Sequence, residues 1–297
     1  MRWRRSVLLT SALALICGAA VGARADDDRL FDPGDAVAGH PGMDYLALVK
    51  LALPTLALSP DDHRVEASPP KPQPRNLAGD QFQGDPADPM VLGHIEDRRI
   101  RIGGQPRIVL LADFGKDQDR DQDYALLILM TDEPAPRVLD MADVGLNKDT
   151  FFANQDSFVA ASSVLPLGPG DAALVTHSER DDEDLTVDDF ELIATMGDHF
   201  DLINRVRLAS EHVCGWDGSQ TVKYATRQDN ARRFRRLELT VRSVFTHPPG
   251  ECGPGRTPPA GVHTYRASFR WDAAHGRFDG RIDELKQLES SNIRLFG

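Results

Sequence analysis

The sequence predicts a mainly β protein, in which antiparallel hairpins form a sandwich or a propeller-like stack with a short helix near each end. Apolar and polar residues alternate over most of positions 91–280, as is typical of half-buried strands. Turn residues such as Gly197-Asp198-His199 and Asp272-Ala273-Ala274-His275-Gly276 separate the alternating runs. Helical spacing is confined to residues 43–53 and 282–288. The absence of a repeat of fixed length argues against a true propeller.

The N-terminus has the pattern of a cleavable secretory signal peptide. Three arginines within residues 2–5 precede an apolar run from Val7 to Val21, and Ala23-Arg24-Ala25 provides a small-residue cleavage site. The apolar run is shorter than the roughly 20 residues of a membrane-spanning helix. We therefore predict that residues 1–25 are removed, that no transmembrane segment remains, and that the mature chain is periplasmic or secreted. A twin-arginine signal at Arg4-Arg5 and lipidation of Cys17 are alternatives.

The chain is acidic, with 46 Asp and Glu residues against 34 Lys and Arg residues and a formal net charge of −12. Removal of the signal peptide deletes four arginines and no acidic residue, which makes the mature chain still more negative. Such a charge repels polyanions and attracts cations, so we expect no nucleic-acid partner. The simplest explanation of the surplus is that it keeps an exported protein in solution.

The mature chain retains two cysteines, Cys214 and Cys252. In an oxidising compartment an even pair is expected to form a disulfide, which closes a loop of about 38 residues and stabilises the fold by about 4 kcal/mol on the chain-entropy model. A redox or nucleophilic role is the alternative. The sequence has no C-x-x-C motif to favour it.

The segment after the signal peptide predicts a short helix followed by a linker. Apolar residues recur at helical spacing from Met43 to Leu53, and Pro54 ends the pattern, so we expect a helix that packs on its own domain. Residues 66–90 are rich in proline and poor in large apolar side chains, as in a linker. The predicted organisation is therefore a signal peptide (1–25), an N-terminal helical segment (26–65), a Pro-rich linker (66–90) and a β domain with a C-terminal helix (91–297).

Two kinds of strand are expected within the β domain. The continuous apolar runs Ile108–Leu111 and Ala125–Met130 predict central strands that are covered on both faces. Alternating runs predict strands with one wet face, as antiparallel sheets allow. In residues 190–208 a set of alternating apolar residues that includes Met196 and Phe200 is even-numbered, so we predict a three-residue, bulged turn that pairs Met196 with Phe200. The remaining predicted strands are Arg137–Asp140, Phe158–Leu165, Ala172–Thr176, Thr221–Thr226, Leu237–Phe245 and Tyr265–Trp271.

One acidic segment, residues 113–123, has the composition of a calcium loop. Carboxylates follow one apolar strand and precede another, and Ca²⁺ takes six to eight oxygen ligands. The candidate ligands are Asp113, Asp117, Asp119, Asp121 and Asp123. The segment resembles the calcium loops of FG-GAP and VCBS propeller modules, although it lacks their glycine, and it departs from an EF-hand at Gln122 and Ile128. The alternative is a solvated, charged hairpin loop whose acids are partly neutralised by Lys116 and Arg120.

Other candidate sites have weaker support. His177 and Glu179 lie two residues apart on one face of a predicted strand, a spacing that suits Zn²⁺ if a third ligand comes from elsewhere, but a surface or capping histidine explains it as well. The acidic run 179–184, with Asp188 and Asp189, has the composition of a solvated loop. The sequence has no G-x-S-x-G, H-E-x-x-H or phosphate-loop motif, so we assign no catalytic residue.

The C-terminal part of the chain resembles a group of exported bacterial proteins that are rich in β-hairpins and have no assigned activity. The resemblance lies in Trp271–Phe278, Leu288, Asn292 and Arg294-Leu295-Phe296. It implies an N-terminal helix followed by hairpins, and an exported location.

Together these features predict an exported, non-catalytic binding or structural protein of the cell envelope, whose partner is an envelope protein or a glycan. Ca²⁺ is the one cofactor that the sequence suggests. The alternative is a hydrolase of envelope polymers that uses Ca²⁺ or a pair of carboxylates. A concave cleft lined by acids and by Trp216 or Trp271 would favour the hydrolase.

Overall fold

The computed structural model describes residues 30–59, 64–77, 89–114, 124–145, 149–153, 163–182, 184–213, 216–229, 233–247 and 258–296. Over these residues the protein is mainly β, and its sheets are antiparallel apart from one parallel pair, which confirms the predicted fold class. The helices are α1 (Tyr45–Lys50) and α2 (Asp283–Phe296). The strands are β1 (Ala57–Leu58), β2 (Val65–Ala67), β3 (Arg75–Asn76), β4 (Met90–Val91), β5 (His94–Ile102), β6 (Gln105–Asp113), β7 (Ala125–Thr131), β8 (Val138–Asp143), β9 (Asp149–Phe152), β10 (Val164–Gly168), β11 (Asp171–Asp182), β12 (Leu185–Met196), β13 (His199–Val213), β14 (Trp216–Arg227), β15 (Arg236–Thr246), β16 (Gly261–Asp272) and β17 (Arg277–Arg281).

The two continuous apolar runs form the centre of a five-stranded sheet, in the order β3-β8-β7-β6-β5. Residues Ile108 to Asp113 of β6 and all of β7 are buried. Their even-numbered side chains face a core beneath α1, which we call the N-terminal core. Their odd-numbered side chains face a second core against β11 and β12, which we call the middle core. The prediction of central strands covered on both faces is confirmed, because each face has its own packing partner.

The N-terminal helix packs on this sheet. The Asp44 carboxylate caps α1 by accepting from the backbone N–H of Ala47 at 2.7 Å. Tyr45, Leu48 and Val49 are buried in the N-terminal core, which also receives side chains from the small sheet β1-β2-β4. An amphipathic helix this short is stabilised by burial of its apolar face rather than by its own hydrogen bonds.

A larger, nine-stranded sheet holds the rest of the chain in the order β10 to β17, with β9 also paired to β11. β13 and β14 pair only from Glu211↔Gly218 to Val213↔Trp216, so the sheet opens into two halves. A third core, the C-terminal core, lies between the halves and beneath α2. The three cores therefore alternate with stacked sheets, as in a sandwich.

Helix α2 closes the opening between the two halves, and Leu285 and Leu288 are buried as its spacing predicted. Asn292 accepts from Gln220 Nε2 at 2.7 Å and donates to the backbone carbonyl of Arg207 at 3.1 Å. The Gln220 amide oxygen accepts from Ala209 N. Side-chain amides thus replace the hydrogen bonds that β13 and β14 do not form with each other, which keeps buried backbone groups satisfied.

The prediction of a three-residue turn that pairs Met196 with Phe200 is wrong. β12 and β13 are joined by two residues, Gly197 and Asp198, and Met196 lies opposite His199. Gly197 has φ 62° and Asp198 has φ 61°. Positive φ at both positions is the type I′ geometry, whose twist matches that of the flanking strands.

The extra residue of this hairpin lies further along β13. The two neighbouring residues Ile193 and Leu192 of β12 pair with Leu202 and Asn204 of β13. Ile203, which lies between Leu202 and Asn204, is therefore the extra residue and forms the bulge. An extra residue reverses the faces of all later side chains. Phe200 therefore packs in the middle core, whereas Val206 packs in the C-terminal core. The even-numbered pattern misled the prediction because β12 is buried on both faces.

Across the described ranges, the structure contains no helix that is both long enough and apolar enough to cross a membrane.

Candidate functional site

A cavity of about 500 Å³ lies where hairpin turns from both large sheets meet. The β5–β6, β12–β13 and β16–β17 turns contribute to its wall, together with the start of β11 and the residues before β15. Its volume falls within the range of small-molecule sites, about 300–1,000 Å³. The residues that matter for its chemistry are Arg107, Asp171, Asp198, Asp201, Arg233 and Trp271.

One part of the wall is aromatic. Phe234 is buried, and the Trp271 ring meets it edge-on with the ring centroids 4.9 Å apart. Phe278 makes a second edge-on contact with Trp271, with the ring centroids 5.5 Å apart, and lies 6.1 Å from Phe234. The Arg233 guanidinium lies over the Phe234 ring at 4.8 Å. These contacts fix the Trp271 ring, so the cavity has a rigid apolar surface beside polar groups.

The polar part of the wall consists of paired charges. Arg107 donates to both oxygens of Asp198, at 2.8 and 2.9 Å. This hydrogen bond to Asp198 raises the pKa of Arg107 above its ordinary value, so the guanidinium stays charged. Asp171 accepts from the backbone N–H of Gly103 at 3.1 Å and lies 3.6 Å from Arg233. Arginine side chains donate hydrogen bonds and aspartate side chains accept them, so the cavity suits a ligand whose groups both donate and accept hydrogen bonds.

A third carboxylate, Asp201, has a looser environment. It lies 2.6 Å from Nε2 of His199 and 3.9 Å from Arg75, and its side chain is 45% exposed. Trp216, the other aromatic residue that the sequence suggested for a cleft, is buried against Phe245 and Phe296 and is not part of the wall.

A second group of polar side chains lies on the β11–β12 hairpin. His177, Glu179 and Asp188 each offer one ligand atom, and these atoms lie within 4.8 Å of one another. Nε2 of His177 is 2.7 Å from Oδ1 of Asp188, and both residues are buried. The His177 ring stacks on Phe190 at 4.5 Å. Burial, followed by the charge of Asp188, raises the pKa of Glu179 above its ordinary value.

The sequence supplied His177 and Glu179 but not the third member. We interpreted Asp188 and Asp189 as part of a solvated loop, and this interpretation is wrong, because both lie in β12 and are 1% and 0% exposed. Asp188 lies directly opposite Glu179. The register of the β11–β12 hairpin could have revealed Asp188 as the third member, because a register that pairs Thr176 with Glu191 also places Asp188 beside Glu179.

Of the predicted calcium ligands, the structure describes Asp113 alone; Asp117, Asp119, Asp121 and Asp123 lie outside the described residues. Asp113 is buried at the end of β6, where Oδ2 accepts from the backbone N–H of Thr150 at 2.8 Å and lies 3.6 Å from Nδ1 of His94. The carboxylate thus connects β6 to β9. The calcium loop stays a prediction.

The predicted disulfide partners, Cys214 and Cys252, also lie outside the described residues, so the disulfide stays a prediction.

No protein-family model, no curated protein and no solved structure matches the chain.

Proposed function

We propose that the chain is exported, loses residues 1–25, and acts in the cell envelope as a non-catalytic protein that binds a glycan. The observation that carries this proposal is the cavity of about 500 Å³ with the Trp271 ring on one wall and paired arginines and aspartates on the others. The signal-peptide pattern supports the location.

The chemistry of the cavity suits a sugar ring. A pyranose presents C–H groups on its faces, which pack well on an indole, and hydroxyl groups at its edges, which both donate and accept. Arg107 and Arg233 are donors, while Asp171 and Asp201 are acceptors. Because Arg107 and Asp198 are held by two hydrogen bonds, they meet a ligand without the entropic cost of ordering flexible side chains.

Trp271 provides a direct readout of binding. After loss of the signal peptide the remaining tryptophans are Trp216 and Trp271, so Trp216→Phe leaves Trp271 as the sole indole. We expect soluble peptidoglycan fragments to change the fluorescence of this variant in a saturable manner. Arg233→Ala should weaken binding about tenfold, the equivalent of one charge-assisted hydrogen bond.

Arg227→Ala is the matched control. The side chain of Arg227 is 68% exposed, close to the 72% of Arg233, and each forms an ion pair, but Arg227 pairs with Glu238 outside the cavity while Arg233 lies at the edge of the cavity. Equal loss of affinity in both variants would show that the fragments bind by general charge attraction. A fluorescence titration without any change would refute a glycan site at Trp271.

A hydrolase is the second candidate, because Asp171, Asp198 and Asp201 line the same cavity as Trp271. Both oxygens of Asp198 are occupied by Arg107, so Asp201 is the carboxylate with the most freedom to act on a substrate. Release of smaller fragments from peptidoglycan by the wild-type protein, lost in Asp201→Asn with binding retained, would establish hydrolysis in place of binding alone.

A further inference from the structure

We infer that His177, Glu179 and Asp188 form a binding site for a divalent transition-metal ion, with Zn²⁺ as the natural probe. The site is on the β11–β12 hairpin, and none of its three residues lines the Trp271 cavity. It supplies one imidazole nitrogen and two carboxylate oxygens, and leaves room for water as a fourth ligand, a set that Zn²⁺ accepts.

The ligand atoms are already near the required spacing. Two ligands of a tetrahedral Zn²⁺, each at about 2.1 Å from the metal, lie about 3.4 Å apart. The three ligand atoms here lie within 4.8 Å of one another, and Nε2 of His177 is 2.7 Å from Oδ1 of Asp188. Small side-chain rotations are therefore enough to seat the ion. The His177 ring stacks on Phe190, with the ring centroids 4.5 Å apart, which supports the orientation of the ligand nitrogen.

The buried carboxylate of Asp188 has an unused ligand position. Asp188 is 1% exposed, and its Oδ2 accepts no hydrogen bond from any described residue. A buried carboxylate oxygen with no donor loses its hydration without compensation. A metal ion beside Oδ2 supplies the missing partner.

The surrounding charges favour a cation. Asp149 on β9, Glu179 on β11 and Asp188 on β12 lie directly opposite one another across three neighbouring strands. Like charges in this position destabilise a sheet unless a cation offsets them. His177, two residues from Glu179 along β11, carries at most one positive charge. A divalent ion offsets the carboxylates more fully, and the half-buried Glu179 provides its route from solvent.

The test is calorimetric titration of ZnCl₂ into residues 26–297, and into four variants whose folding is checked by circular dichroism. We expect one Zn²⁺ per chain, a higher thermal midpoint with Zn²⁺, and affinity lowered at least tenfold by Glu179→Gln and by Asp188→Asn. Asp184→Asn, which changes an exposed acid in the turn of the same hairpin, should leave the affinity unchanged. If Asp188→Asn does not fold, Glu179→Gln at the half-buried position decides.

Three results would overturn the inference: a wild-type chain that does not bind Zn²⁺, unchanged affinity in Glu179→Gln, or loss of binding only when Asp119 and Asp121 are replaced by alanine. The last result would assign the ion to the acidic loop. Replacement of Zn²⁺ by Co²⁺ gives a second readout, because a tetrahedral site with a nitrogen ligand absorbs visible light more strongly than a site of water and carboxylates in octahedral geometry.

Discussion

The free energy of unfolding should fall as the pH rises because of the buried carboxyl of Asp143. Replacement of Asp143 by asparagine should remove most of this loss. Asp143 ends β8, is 8% exposed, and accepts from the backbone N–H of Gly145 at 3.0 Å. Burial raises the pKa of its carboxyl from 3.8 to about 7, despite hydrogen bonds that act in the opposite direction. Each pKa unit between the folded and unfolded values corresponds to about 1.4 kcal/mol, so the whole difference amounts to about 4 kcal/mol.

The sign follows from which state holds the proton. Between pH 4 and pH 7 the folded chain keeps the Asp143 proton while the unfolded chain releases it, so the free energy of unfolding falls as the pH rises. Asparagine retains the acceptor for Gly145 and does not titrate. We therefore expect Asp143→Asn and the wild-type protein to be equally stable near pH 4, and the variant to be more stable by up to about 4 kcal/mol at pH 8.

Urea unfolding of residues 26–297 at intervals from pH 4 to pH 8 measures this difference. Burial also raises the pKa of Glu191, so Glu191 contributes a slope of the same sign to both proteins; the charge of Asp143 adds to this rise in the wild type and is absent from the variant. Asp279→Asn is the control, because it also removes one carboxylate, at an exposed position, and leaves the buried Asp143 in place. A stability difference for Asp143→Asn that is constant with pH, or that grows as the pH falls, would refute the reasoning.

Two further pairs of variants test the architecture. Asn292→Ala should lower the free energy of unfolding by about 2 kcal/mol, because it leaves buried amide and carbonyl groups between β13 and β14 without partners, whereas Gln287→Ala on the exposed face of α2 should have little effect. Equal effects in urea unfolding would show that α2 does not substitute for the missing strand pairing. Gly170→Ala should cost more than Gly276→Ala, although both glycines have positive φ, because a Cβ at position 170 would lie 2.7 Å from the backbone nitrogen of Gly104 while position 276 is open. The open site should cost about 1 kcal/mol from φ alone, so equal thermal midpoints in the two variants would contradict the predicted clash.

The sequence alone determined the fold class and the most strongly patterned elements. The runs at 108–111 and 125–130 predicted central strands, and Leu285 and Leu288 predicted the closing helix, because burial on both faces or along one helical stripe leaves a local pattern of apolar residues. The short helix before Pro54 was predicted for the same reason. Each of these elements can be recognised from residues that are neighbours in the chain.

Only the tertiary structure decided the register of the β12–β13 hairpin, the burial of Asp188 and the shape of the cavity. The turn at Gly197 and the bulge at Ile203 could not be chosen from alternation, because cores lie on both sides of this hairpin and apolar residues suit either face. Asp188 has the local sequence of a solvated acid and is buried by the strands beside it. The Trp271 cavity is formed by turns that are far apart in the chain, so its chemistry depends on long-range packing that no local pattern records.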